Sequence, residues 1–169
     1  MTQELTPQRP GRARAGLSPG ADAALLIRPV RRADMNQVIA IDATVTGLEK
    51  RKYWASVYRR YGSGQRDEKQ FLVALAQGQV VGFVIGEVRD WEFGSPPCGW
   101  VFAIDVQPQA RLAGVGTRLL EAISASFRRA GLTKLRTMLA RDNALILSFF
   151  RSQGMMAGAL ISLEMDLDG

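Results

Sequence analysis

The sequence predicts a mixed α/β fold, a single mixed, mostly antiparallel sheet with helices on both faces. Three observations predict it. Short apolar runs alternate along the chain with longer stretches of helical periodicity. Two of those runs flank Gln77-Gly78, a hairpin signal that requires antiparallel neighbours. The run beginning at Trp100 is followed by a helical stretch and then by a further strand pattern ending at Ala140. A strand–helix–strand unit of that kind requires a parallel pair. At 169 residues, 47% hydrophobic and 22% charged, the chain is long enough for one domain with its own core.

Residues Met1 to Ala24 carry Pro7, Pro10, Pro19, several glycines and Arg9, Arg12 and Arg14 without apolar periodicity, which predicts a disordered basic tail. The folded domain then spans 25–169. ALLIRPV is a strand. ADMNQVIAID is a helix in which Asp34 can cap, Gln37 stands at the capping-box position, and Met35, Val38 and Ile39 form the inner face. KRKYWASVYRRYG places Trp54, Val57, Tyr58 and Tyr61 on one side of a second helix that Gly62 can end. FLVALAQGQVVGFVIGEV is the hairpin, RDWEFGSPPCG a loop dense in turn residues, and WVFAIDV a short buried strand. Leu119, Leu120, Ile123 and Phe127 mark the inner stripe of the next helix, which Gly131 can close. LTKLRTMLA reads as a strand and DNALILSFFRSQG as a helix ending at Gly154. In LISLEMDL, Ile161, Leu163, Met165 and Leu167 alternate with Ser162, Glu164 and Asp166, the pattern of a strand with one wet face.

Composition excludes several chemistries. With no histidine and one cysteine, Cys98, the common zinc sites, an internal disulfide and histidine-based triads are all ruled out, and no metal is expected. No apolar run reaches the ~18–20 residues of a membrane span, and Ala23 to Ile27 is too short for a signal-peptide core; with a single cysteine, a reducing cytoplasm is the simplest expected compartment. The formal charge of +6 and pI of about 10.1 suit a solvated basic surface, and equally a phosphate-rich ligand. A nucleic-acid-binding arm is the weaker reading of the tail, because no aromatic residues are interleaved for stacking.

The most informative stretch is VQPQARLAGVGTRLL, from Val106 to Leu120. Gly114 and Gly116 stand where a helix is about to begin, although glycine weakens helices. A helix start presents unpaired N–H groups and partial positive charge, so it can hold an anion. Two glycines would let a diphosphate approach the N–H groups of Leu112, Ala113, Gly114, Val115, Gly116 and Thr117, with Arg111 and Arg118 nearby. A tight turn with a softened helix entry explains the same residues. The spacing is neither a dinucleotide fingerprint nor a Walker loop.

This stretch resembles the acyl-CoA-binding motif of the GNAT superfamily of N-acetyltransferases, Arg/Gln-x-x-Gly-x-Gly/Ala after a strand ending Val-x-Pro. Val106, Pro108, Arg111, Gly114 and Gly116 match it. DNALILSFFRSQGM resembles the family's Asn…Phe-Tyr-x-x-x-Gly-Phe segment, with Asn143, Phe149 and Gly154 in register. The resemblance covers about Leu25 to Leu167. It implies acetyl-CoA as co-substrate, with its pyrophosphate on the turn Leu112–Thr117 and its pantetheine arm along Ile104 to Val106, where two central parallel strands splay apart. The backbone N–H of Val106 would face the thioester oxygen, and Asn143, Phe149 and Phe150 would line the opposite wall.

The chain departs from the family pattern where chemistry is expected. Phe150 replaces the tyrosine that protonates the departing thiolate in many relatives. Met138 and Trp100 stand where others carry a glutamate, Ile146 replaces an alanine, and Met155 replaces the phenylalanine after the glycine. A thiol of pKa about 8.5 can leave without an acid, but an amine of pKa about 10.4 must lose a proton before it attacks. Asp105, beside the expected thioester, and Glu87, on the neighbouring strand, are the foremost candidate bases. Asp90 and Glu92 are further ones, and Tyr53, Tyr58 and Tyr61 are candidate acids. Trp91, Phe93 and Trp100 are candidate acceptor walls. The expected activity is acetyl transfer to a primary amine of a small molecule or peptide in a ternary complex. The competing reading is an acyl-CoA-binding module without turnover. The acceptor groove is expected to be open, or completed by a second subunit in a homodimer.

Overall fold

The structure, a computed structural model, describes residues 25–62 and 68–167, so the basic tail lies outside the described residues. Five strands, β1 (Leu26–Pro29), β2 (Lys69–Ala76), β3 (Gln79–Arg89), β4 (Cys98–Val106) and β5 (Leu135–Arg136), form one sheet in sequential order. Neighbours are antiparallel except β4 and β5, which run parallel through the crossover helix α3 (Val115–Arg129). Helices α1 (Met35–Thr46) and α2 (Arg51–Val57) cover one face, and α3 with α4 (Ala144–Ser152) covers the other.

Alternation along β2 builds both cores. Phe71 and Val73 point to α1 and α2, where they meet Val38, Ile41 and Trp54. Leu72 and Ala74 point to α3, where the expected stripe of Leu119, Leu120, Ile123 and Phe127 is buried. Gln77 and Gly78, with φ of 51° and 77°, make the β2–β3 turn, since two successive left-handed residues match the twist of a tight hairpin. At Gly99 a Cβ would lie 2.5 Å from the Phe127 ring, so this glycine lets α3 lie flat on β4.

Four expectations are corrected. Asp34 does not cap α1. Its carboxylate takes both Arg28 guanidinium nitrogens (2.7 and 2.9 Å) and the Arg31 N–H (2.7 Å), while Gln37 Oε1 accepts the Val80 N–H. The second helix ends at Val57, and Tyr58–Gly62 follow as a wider π turn. The strand expected over LTKLRTMLA is reduced to Leu135–Arg136, because β4 and the chain beyond Arg136 diverge. Residues 160–167 form no strand, and their apolar and polar side chains are exposed alike. Among the described residues, no helix is long and apolar enough to cross a membrane.

Candidate active site

A β-bulge sets the site's geometry. Ile85 faces Ala103 and Gly86 faces Val101, so Phe102 is the extra residue on β4. Val101 packs in the α3 core but Ala103 packs against the α1–α2 core, because the bulge reverses the parity of the strand. Asp105 therefore faces α1 and α2, whereas Ile104 and Val106 face α3. Gln107 N–H donates to Val81 O (2.9 Å), and alternation turns Val106 away from β3. Consistent with this, Val106 O accepts from Arg111 Nε at 3.3 Å instead of from the ladder.

Only Gly99 and Trp100 of β4 pair with β5, after which the strands part. Thr137 Oγ1 donates to Val101 O (2.8 Å) at the apex of the split. A cleft of about 580 Å³ fills it. Ile104 and Val106 form one wall, and Thr137–Ala140, Asn143, Phe149 and Phe150 the other. The cleft reaches Arg111, Leu112, Gly114, Gly116 and Thr117 on the α3 side, and Asp42, Lys50, Tyr53, Trp54 and Asp105 on the α1–α2 side.

The α3 end fits a diphosphate. A 3₁₀ turn, Pro108–Ala113, leads to Gly114 at φ 72°, a conformation that favours glycine. No side chain caps α3, and the first intrahelical bond runs from Arg118 N–H to Gly114 O (3.1 Å). The N–H groups of Val115, Gly116 and Thr117 thus lack intrahelical acceptors. Leu112 and Ala113 lie within the 3₁₀ turn, whose own i→i+3 bonds engage N–H groups there. A Cβ on Gly114 would enter open space, which is the room an anion needs. The two glycines differ in role. A Cβ on Gly116 would stand 3.1 Å from Phe149, so that glycine serves the contact between α3 and α4. Ala113 and Val115 do not line the cleft, and Val115 is buried beneath the helix.

Asn143 is the N-cap of α4, its Oδ1 accepting the Ile146 N–H at 3.2 Å. Phe149 and Phe150 pack with ring centroids 5.2 Å apart, and Phe150 is buried. On the α1–α2 side, burial pushes the Asp105 carboxyl up to about 6. The negative charge of Asp42 adds to this, and Arg111 and Lys50 oppose it. Asp42 is itself buried, with Oδ1 3.0 Å from Lys50 Nζ and Oδ2 accepting the Trp54 indole N–H at 2.9 Å.

Other expected residues lie elsewhere. Glu87 does not line the cleft, and its carboxylate accepts from Tyr61 Oη (2.8 Å) and Arg89 Nε (3.1 Å). Burial, followed by Glu87, raises the Tyr61 phenol to about 12. Tyr58 packs against the α1–α2 core, leaving Tyr53 as the tyrosine on the cleft. Trp91 and Phe93 are exposed on the loop after β3 and Trp100 is buried, all outside the cleft, as are Asp90 and Glu92. Asp42, Lys50 and Trp54 were not singled out from the sequence as site residues. Asp42 could have been, because it falls at i+4 from Val38 on the apolar stripe of α1 and a carboxylate there needs partners. Among the described residues, no three His, Cys, Asp or Glu side chains are grouped to hold a metal.

The acetyltransferase (GNAT) family model matches residues 37–155. An L-2,4-diaminobutyric acid acetyltransferase of Nocardia farcinica is 32% identical over 93 residues, 55% of this chain and 47% of that protein. A mycothiol acetyltransferase of Saccharomonospora viridis is 33% identical over 87 residues, 50% of this chain and 28% of that protein. The chain thus matches less than half the length of these curated relatives. In fold it is similar to the aminoglycoside N-acetyltransferase AAC(6′)-Iy solved with CoA, with a TM-score of 0.73 at 17% identity over 85% of this chain and 95% of that one. The family model spans more than half of the sequence and includes the split strands, the glycine turn and the Asn143–Gly154 segment, so the chain belongs to the acetyltransferase (GNAT) family.

Proposed function

We propose that the protein transfers an acetyl group from acetyl-CoA to a primary amine of a small cationic molecule, by direct attack within a ternary complex. One observation carries this reading. A single cleft connects an uncapped helix N-terminus to a carboxylate of raised pKa through a gap in the sheet. In this reading the N–H groups of Gly116 and Thr117, with Arg111, hold the pyrophosphate. Ile104 and Val106 align the pantetheine arm, and Phe149 and Phe150 shield it from water. The Val106 N–H stabilises the oxyanion that forms when the amine adds to the thioester carbonyl. Asp105 takes the proton of the attacking ammonium, a role its pKa near 6 suits at neutral pH. Collapse of the adduct forms the amide and releases CoA thiolate, which water protonates, because Phe150 has no proton to give.

The half-buried Asp105 on the cleft favours a cationic acceptor, with the buried Asp42, paired to Lys50, beside it. The names of the relatives, a diaminobutyrate and a mycothiol acetyltransferase, support a small amine over a protein. A single buried cysteine accords with a cytoplasmic setting. Release of CoA thiol, followed across diamines, basic amino acids and aminosugars, tests the proposal. At least one amine should raise release well above hydrolysis. Tight acetyl-CoA binding without acceptor-dependent release would sink it and favour the second reading, a binding module without turnover, for which the phenylalanine at position 150 is the supporting observation. Phe150→Tyr distinguishes the two, since a rise in turnover requires a catalytic frame already in place.

A further inference from the structure

The α1–α2 side of the cleft holds two carboxylates, and only one of them is open to a ligand. Asp42 is buried, and both of its oxygens are engaged, Oδ1 by Lys50 Nζ and Oδ2 by the Trp54 indole N–H. Asp105 is half-buried on the cleft and receives no hydrogen bond or ion pair from any described residue. Lys50 is itself part of the lining. Its side chain is 36% exposed, and its ammonium stands 5.6 Å from the centre of the Tyr53 ring. One unanswered negative charge and one positive charge therefore face the same space. A single ammonium is attracted to Asp105, whereas a second one on this side meets Lys50, and like charges repel strongly where water is sparse.

The walls around these charges are apolar. Val45, Tyr53, Phe102 and Met138 all line the cleft, and each has a third or more of its surface open. Phe102 is the bulge residue of β4, and its ring lies 5.1 Å from that of Tyr61, which packs against the α1–α2 core. The bulge that turns Asp105 to this side thus sets an aromatic ring there as well. Apolar side chains left open around one free carboxylate are stabilised by a ligand that covers them. A body rich in hydroxyls or further charges would lose water against the same walls and find no partners.

We propose that the acceptor is a primary monoamine with an apolar body, its ammonium on Asp105, its body against Val45, Tyr53, Phe102 and Met138, and Lys50 set against any second positive charge. The inference rests on the acetyl-transfer reading and narrows its substrate.

Phenylethylamine, diaminobutane and glucosamine are compared in two assays. One is release of CoA thiol from acetyl-CoA. The other is calorimetric binding of each amine to the CoA-loaded protein, which involves no turnover. Phenylethylamine should show at least tenfold higher kcat/KM and at least tenfold tighter binding than the other two, which still react. Phe102→Ala should raise the KM for phenylethylamine about tenfold and leave that for diaminobutane nearly unmoved. Lys50→Gln should shift the ratio of kcat/KM towards diaminobutane at least tenfold, because it removes the repulsion and opens Asp42. Near-ultraviolet circular dichroism checks that both variants are folded. Diaminobutane or glucosamine favoured over phenylethylamine overturns the proposal and leaves acetyl transfer standing. If no amine releases CoA thiol, acetyl transfer itself fails, and binding alone decides what the pocket selects. Phenylethylamine bound most tightly then supports the apolar pocket, and equal binding or none overturns it. A preference for phenylethylamine that survives Phe102→Ala and Lys50→Gln places the selecting walls elsewhere and overturns it equally.

Discussion

Asp105 is the residue on which the proposed chemistry turns, and its environment states what it should do. Burial and Asp42 hold its carboxyl near 6. The base form therefore accumulates as pH rises through that value, and kcat/KM should rise with it on the acid limb. Asp105→Asn should lower kcat roughly 10²- to 10⁴-fold and abolish that limb, with acetyl-CoA affinity little changed. Stopped-flow release of CoA thiol between pH 5 and 9 measures both. An unaltered acid limb in the variant would assign the proton transfer to another group. Gly114 tests the other end of the cleft. Gly114→Glu should reduce CoA binding at least a hundredfold by calorimetry, because it puts bulk and negative charge into the space before the α3 N-terminus. Gly114→Asn, which tolerates the left-handed backbone, should bind far better. Equal losses in the two variants would mean that backbone strain, and not the anion site, is responsible.

At the scale of elements, the helices hold the split open by packing against what surrounds it. Leu119 and Ile123 are fully buried between α3 and the sheet. Leu119→Ala should cost about 2–5 kcal/mol in urea unfolding, through lost transfer energy and the cavity left behind. Gly99→Ala should cost about 1–3 kcal/mol, since its Cβ meets Phe127 and α3 must lift. The two packed elements were legible because their periods are strong: α3 shows its stripe at i, i+1, i+4 and i+8 from Leu119, and the hairpin announces itself at Gln77-Gly78. Less legible were features whose cause is tertiary. Asp34 looked like a cap because capping is local, but the Arg28 guanidinium lies across the sheet entry and takes both carboxylate oxygens. The bulge at Phe102 left no sign in WVFAIDV, because only the pairing with β3 reveals an extra residue. Alternation separates Asp105 from Ile104 and Val106, and the bulge decides which face each takes, so the strand was readable as part of the site while its parity was not. Glu87 looked near by strand order, but it pairs with Trp100, well along the strands from Asp105 and Val106, and Tyr61 and Arg89 hold its carboxylate outside the cleft.

Over the whole molecule, the same carboxylates tie stability to pH with opposite signs. Asp34 has its pKa lowered, first by the Arg28 hydrogen bonds. Its contribution is present above the unfolded value near 3.9 and is lost as pH falls through the lower folded value. Asp105 runs the other way. Its folded pKa of about 6 lies above the unfolded value, so the folded state binds the proton more tightly. Between about 4 and 6 the native state carries more protons than the unfolded chain, and stability falls as pH rises through that window. Above it the cost of keeping the carboxylate ionised is complete, about 1–2 kcal/mol once the screening of a partly exposed group is allowed for. Asparagine is close in shape to the protonated acid and bears no such cost. Asp105→Asn should therefore unfold at higher urea concentration than the wild type at pH 8, by up to that amount, and the two curves should converge near pH 4. A protein that gains stability while losing turnover by the same substitution holds its base in a strained electrostatic state for the sake of the reaction. If the variant were less stable at pH 8, Asp105 would be a structural carboxylate held by partners, and the base would have to be sought elsewhere along the cleft.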